Sequence, residues 1–203
     1  MLAENRIFKI KQLLNKQKYS QVTHASPLFW KPEKLINRIT SNKDIQHWLN
    51  TQGSLTTRLR QLCPALEVVI LSEKLERPLI NEAQSLGLQS HELAWIRCVL
   101  LKGGEENWVY ARTVIPHFLE PNPWTHLQQL GNKPLGEVLF QDNTVQRTSF
   151  TFARQPLTIW PYLPISPNQQ NNSIGYARRS IFTQQKAPLL LTEVFLPSLL
   201  IGV

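Results

Sequence analysis

Cysteine is scarce in this chain, acidic residues are outnumbered, and long apolar runs are missing. Two cysteines, Cys63 and Cys98, in 203 residues allow at most one bridge. A disulfide-stapled scaffold is excluded, and a cytosolic chain keeps both groups as thiols. The most apolar stretch, Leu189 to Val203, is interrupted by Glu193 and Pro197. No run approaches the roughly 18 apolar residues that a membrane-spanning helix needs, so no span and no stable membrane insertion are expected. The first twenty residues mix charges into every turn and lack the apolar centre of a secretory signal, which makes the cytoplasm the expected compartment. Also missing are the GxxxxGK(S/T) and GxGxxG phosphate cradles, HExxH, CxxC and the GxSxG nucleophile elbow. The five histidines, His24, His47, His91, His117 and His126, are scattered over expected loops and helices, so no metal site is expected.

What is present suits one globular core: 42% hydrophobic and 18% charged residues. The 22 Lys/Arg against 14 Asp/Glu give a net charge of +8, and residues 1–38 account for +6 of it. The chain therefore divides into a basic N-terminal arm, 1–38, and a nearly neutral body, 39–203. A neutral body without an RNP-like aromatic strand disfavours nucleic acid as a partner.

Along the body, Ser41 with Asp44 three residues on reads as the cap of a short helix through Trp48 and Leu49. A second helix follows Ser54, because Leu55, Leu59 and Leu62 recur at helical spacing, and Pro64 ends it. Branched and aromatic residues then predict strands at Leu66–Glu73, Leu93–Leu101 and Trp108–Ile115, the last two joined by the hairpin signal KGGEEN. WTHLQQLG reads as a helix ending at Gly131, and PLGEVLF as another that starts near Pro134. Three more strands are predicted at Thr144–Arg154, Ile174–Gln184 and Leu189–Pro197. A Pro/Asn/Gln-rich surface loop is expected at about 155–173. Six strands linked mostly by tight turns argue an α+β fold, an antiparallel sheet covered by helices on one face.

Charge occurs where strands should be dry. Alternation places Arg97 with Trp95, Val99 and Leu101, and Glu193 with Leu191 and Phe195. Arg112 repeats the theme beside Tyr110 and Val114. A buried charge needs a partner or a ligand. Two readings stand side by side: a structural Arg97–Glu193 salt bridge, or a cavity in which Arg97 grips a carboxylate and Glu193 meets a hydroxyl. Cys98, between apolar neighbours, reads as a small buried hydrophobe.

GSLTTRL, AWIRCVLL, WVYARTVIP, LGNKPLGEVLF and LLLTEVFLP, in that order and at these spacings, resemble the chorismate pyruvate-lyase family, whose members make 4-hydroxybenzoate for quinone synthesis. The resemblance runs from about Trp48 to Pro197. It implies a six-stranded antiparallel sheet with helices over it, an enclosed product site, and catalysis on chorismate without metal or organic cofactor by a monomeric chain. It further implies that Arg97 holds the ring carboxylate, that Leu55 and Leu135 line the site with their main chains, and that Glu193 meets the hydroxyl. Arg112 is the expected second cation for the departing enolpyruvyl group. The alternative is a non-catalytic sensor of aromatic acids built on the same fold.

Overall fold

A computed structural model describes residues 30–118, 121–140, 142–165 and 173–201. Eight strands form one antiparallel sheet: β1 (Lys31–Pro32), β2 (Glu67–Glu76), β3 (Ala94–Gly103), β4 (Glu106–Pro116), β5 (Gln146–Arg147), β6 (Thr151–Pro156), β7 (Ile174–Gln184) and β8 (Ala187–Phe195). Their order is β1-β6-β7-β8-β4-β3-β2, and β5 pairs with the C-terminal end of β7. All six expected strands are present. The one expected at Thr144–Arg154 is divided into β5 and β6. Between them Thr148 stays tied to β7, its amide donating to the Ile181 carbonyl at 2.9 Å and its hydroxyl accepting from the Ile181 amide at 3.0 Å. The eighth strand, β1, comes from the end of the basic arm. Residues 30–38 pack on the body, with Ile36 buried in a 3-10 helix (Glu33–Arg38), whereas residues 1–29 lie outside the described set.

The sequence pattern predicts cover on one face; the structure covers both. AWIRCVLL is buried at every position from Ala94 to Leu101, so its two sets of alternate residues both need a lid. The front face carries Val99, Leu101, Val109 and Phe195 under Trp48, Leu49, Leu55 and Leu59 of two helices, Lys43–Leu49 and Leu55–Leu62. Trp124 and Leu127 of a 3-10 helix (Pro123–Gln129) close the same face beside Trp95 and Leu191. The back face carries Ile96, Cys98, Leu100, Tyr110 and Val194 under Ala83. Ala83 belongs to Ile80–Leu86, a helix whose short, partly polar turns gave no clear periodic signal. Leu157, Trp160 and Leu163 complete this back layer. The first part of the expected surface loop is thus core, because its apolar residues cover a sheet face that would otherwise be wet.

Local chemistry sets the helix starts that matter for the front face. Asn42, one residue beyond Ser41, is the cap of Lys43–Leu49: its side-chain oxygen accepts from the amides of Asp44 at 2.8 Å and Ile45 at 3.1 Å. Ser54 caps Leu55–Leu62 by accepting from the Thr57 amide at 3.3 Å. Pro134 precedes the short helix Leu135–Leu139, where it needs no donor of its own.

Candidate functional site

A cavity opens between the front face of the sheet and these helix starts. Counted out to solvent it holds about 610 Å³. Its floor crosses four strands, with Arg97 and Val99 on β3, Thr113 on β4, Glu193 on β8 and Arg178 on β7. Strand pairing explains the set. Arg97 is opposite Thr113, Thr113 is opposite Leu191, and Arg178 is opposite Glu193, so all of these side chains point the same way. Leu55 and Leu135, each the first residue of its helix, form the roof. The first-turn N–H groups of a helix have no carbonyl one turn back, which leaves main-chain donors near the cavity wall. The two roof helices touch closely: a Cβ added at Gly136 would sit 3.2 Å from Ser54 Oγ, and Arg60 pairs with Glu137 across the same junction.

Arg97 is 3% exposed. One end of its guanidinium pairs with Glu73 of β2, and Nη2 donates to the Gly131 carbonyl at 2.5 Å. Gly131 has φ +54, a turn conformation that suits glycine. Glu193 accepts from Arg178 Nε at 2.6 Å, and Arg178 Nη1 donates to the Thr51 carbonyl at 2.6 Å. Of the two readings left open by the sequence, the Arg97–Glu193 salt bridge is not formed: Arg97 pairs with Glu73 and Glu193 with Arg178. β4 lies between β3 and β8, and the two residues face the same cavity from different strands. Leu55, Leu135, Arg97 and Glu193 thus line one cavity.

Arg112 is not in this cavity. Its neighbours Ala111 and Thr113 line the site, so alternation turns Arg112 to the back face, where it is 1% exposed. There Nε donates to Glu82 Oε1 at 2.8 Å, Nη2 to Glu82 Oε2 at 3.2 Å, and Nη1 to Glu76 at 3.4 Å. Burial pushes this guanidinium down, but the charge and hydrogen bonds of Glu82, with Cys98 and Tyr110 beside it, together outweigh burial and hold Arg112 well above the ordinary arginine value. Cys98 shares this face, and burial raises its thiol above the usual range.

Two cavity residues, Arg178 and Arg147, and Glu73, the partner of Arg97, have weak sequence signals. Arg178 and Arg179 are adjacent on one strand, and nothing local says which of them faces the cavity. Glu73 was legible only as a polar residue near a strand end. Arg147 lies in a two-residue strand, too short for alternation to register. It lines the cavity, donates to Gln52 Oε1 at 2.5 Å, and lies over the Phe150 ring at 4.4 Å. Burial lowers its guanidinium, and the nearby Arg178 charge lowers it further.

The structure is thus an antiparallel sheet covered on both faces, with a cavity that carries Arg97 on one side and Glu193 with Arg178 on the other. The chain belongs to the chorismate lyase family, a family of carbon–oxygen lyases: the family model described as chorismate lyase matches residues 26–201. A "Probable chorismate pyruvate-lyase" of Hydrogenovibrio crunogenus is 45% identical over 169 residues, covering 83% of this chain and 90% of that protein. A protein of the same description from Coxiella burnetii is 34% identical over 173 residues, 85% of this chain and 93% of that one. Among solved structures, PhnF from Mycobacterium smegmatis is similar over 73% of this chain and 66% of its own, with 11% identity and a TM-score of 0.49.

Proposed function

We propose that this protein is a chorismate pyruvate-lyase that converts chorismate to 4-hydroxybenzoate and pyruvate. In this reading it acts in the cytoplasm as a monomer, without metal or organic cofactor, and its product enters quinone synthesis. The observation that carries the reading is the placement of Arg97 and Glu193 in one apolar cavity, two strands apart. Neighbouring strands are about 4.8 Å apart, so the two backbones are roughly 10 Å apart and the inward side chains leave room for a ring between them. The planar fork of Arg97 matches the ring carboxylate, and Glu193 accepts the hydroxyl proton at the para position. Leu55 and Leu135 cover the ring faces and offer main-chain donors.

In the reaction the C3–O bond breaks, C4 loses its hydrogen, and the ring becomes aromatic. The methylene carbon of the departing enolpyruvyl group gains a hydrogen and becomes the methyl of pyruvate. Aromatisation drives the change. The cavity contributes by holding the side chain in a reactive conformer and by stabilising the charge that develops on the leaving oxygen. Two routes satisfy this balance: direct transfer of the hydrogen from C4 to that methylene carbon, and removal of the C4 proton by Glu193, which expels enolpyruvate whose methylene carbon then takes a proton from Glu193 or water. Glu193→Gln separates them. Loss of kcat beyond about 100-fold with 4-hydroxybenzoate binding retained identifies a base, and a small loss identifies the direct route.

The deciding experiment adds chorismate to purified protein and follows pyruvate release together with 4-hydroxybenzoate absorbance. Equal amounts of both are expected. Pyruvate without the aromatic acid would mean a different lyase, and neither product would reject the proposal.

A further inference from the structure

Chorismate carries two carboxylates, one on the ring and one on the enolpyruvyl group, so a site built for it needs a cation for each. Three arginines line the cavity: Arg97, Arg147 and Arg178. Arg97, beside Glu73 and the Gly131 carbonyl at one side of the floor, is the cation that the lyase reading gives to the ring carboxylate. Arg178 already has a carboxylate partner, Glu193, and its Nη1 donates to the carbonyls of Leu49 and Thr51. Arg147 differs from both. Among the described residues no carboxylate lies within ion-pair distance of it; its partners are the neutral Gln52 amide and the faces of Phe150 and Phe140. A guanidinium stacked on aromatic rings keeps its edge free to receive an anion, and stacking holds the fork in orientation.

Position agrees with chemistry. Across the floor the order runs from Arg97 on β3, over β4, to Glu193 on β8 and Arg178 on β7, and then to Arg147 on β5 at the edge of β7. With the ring carboxylate at Arg97 and the C4 hydroxyl at Glu193, the C3 substituent is next to the hydroxyl end of the ring. Its carboxylate then falls beyond Glu193, on the side of β7 and β5. Arg112, turned to the back face, has no path to that position without crossing the sheet.

We infer that Arg147 is a substrate-binding residue, the cation that takes the enolpyruvyl carboxylate, with Gln52 and the Phe150 ring holding its guanidinium in place. This rests on the lyase reading above and goes beyond it by assigning the second anion subsite. The product 4-hydroxybenzoate has no such carboxylate. Arg147 therefore discriminates substrate from product, which Arg97 does not.

The test compares wild type, Arg147→Gln and Arg147→Lys, measuring chorismate turnover and, by calorimetry, 4-hydroxybenzoate affinity. Losing charge-assisted hydrogen bonds to one carboxylate should lower kcat/KM for chorismate about 10- to 100-fold in Arg147→Gln, with the lysine variant recovering part of it. Affinity for 4-hydroxybenzoate should stay within about twofold in both variants, since the lost contact is one the product never makes. Retained product binding also certifies that the variants are folded. An Arg147→Gln protein with unchanged chorismate kinetics overturns the assignment, and so does one that loses product and substrate affinity in equal measure. A wild-type protein that binds 4-hydroxybenzoate but releases no pyruvate from chorismate rejects the lyase reading itself, a result distinct from either.

Discussion

Arg97 and Glu193 face one cavity, yet each is anchored by a different partner, Glu73 for the arginine and Arg178 for the glutamate. The two side chains are held in the cavity by contacts on β2 and β7. This arrangement makes the two residues energetically separate. In thermal or urea denaturation, the effects of Arg97→Met and Glu193→Leu should add to within about 0.5 kcal/mol. Arg178→Met and Glu193→Leu should not, because each single change leaves the other half of a buried pair alone, and a coupling above about 1 kcal/mol is expected. A large coupling between Arg97 and Glu193 without ligand would mean that they contact each other after all. On the ligand side, Arg97→Lys keeps the charge but loses the fork, and should weaken 4-hydroxybenzoate binding by about 1.5–3 kcal/mol.

At the scale of elements, the helix Ile80–Leu86 is held to the back of the sheet by a buried ion pair as well as by apolar contact. Glu82, itself 2% exposed, takes two hydrogen bonds from Arg112 and one from the Leu79 amide at 2.8 Å, which also closes the helix start. Removing one charge of such a pair strands the other in a dry place. Arg112→Met should therefore destabilise the fold by about 3–5 kcal/mol in equilibrium urea unfolding, and the Arg112→Met/Glu82→Leu double variant should regain at least half of that. A single variant with an unshifted unfolding midpoint would contradict this anchoring role. The front helices contrast with this. The contact of the Leu55–Leu62 and Leu135–Leu139 helices through Arg60 and Glu137 is largely exposed and is worth little to stability.

For the whole molecule, the boundary between arm and body falls earlier than the charge distribution suggests. Lys31 and Pro32 pair with Phe152 and Thr151, Ile36 is buried, and Trp30 packs under the Arg179 guanidinium at 4.2 Å. Deletion of residues 1–25 removes none of these contacts or the cavity residues, and should leave chorismate turnover within about threefold. Deletion of residues 1–38 should cost at least about 2 kcal/mol in stability, the scale of burying one isoleucine. Equal stability of the two truncated proteins would show that the end of the arm adds nothing to the fold.

Much of this molecule is legible in its sequence because strands and charges in dry places leave local marks. Alternation within AWIRCVLL and LLLTEVF put Arg97 and Glu193 on apolar faces, and the helix-start chemistry of Ser54 and Pro134 placed Leu55 and Leu135 at the beginnings of their helices. Alternation also misled. It says which residues of one strand share a face, but not which faces of two strands coincide. Arg97 and Arg112 looked equivalent until pairing set Arg97 opposite Thr113 and Cys98 opposite Arg112, sending the two guanidinium groups to opposite sides of the sheet. The same gap hid Arg178 beside Arg179, and hid Arg147, whose two-residue strand has meaning only against β7. Residue types and strand positions were thus determined by the sequence itself. Register and the layering of both sheet faces were decided by the tertiary structure, because they depend on hydrogen bonds between segments far apart in the chain.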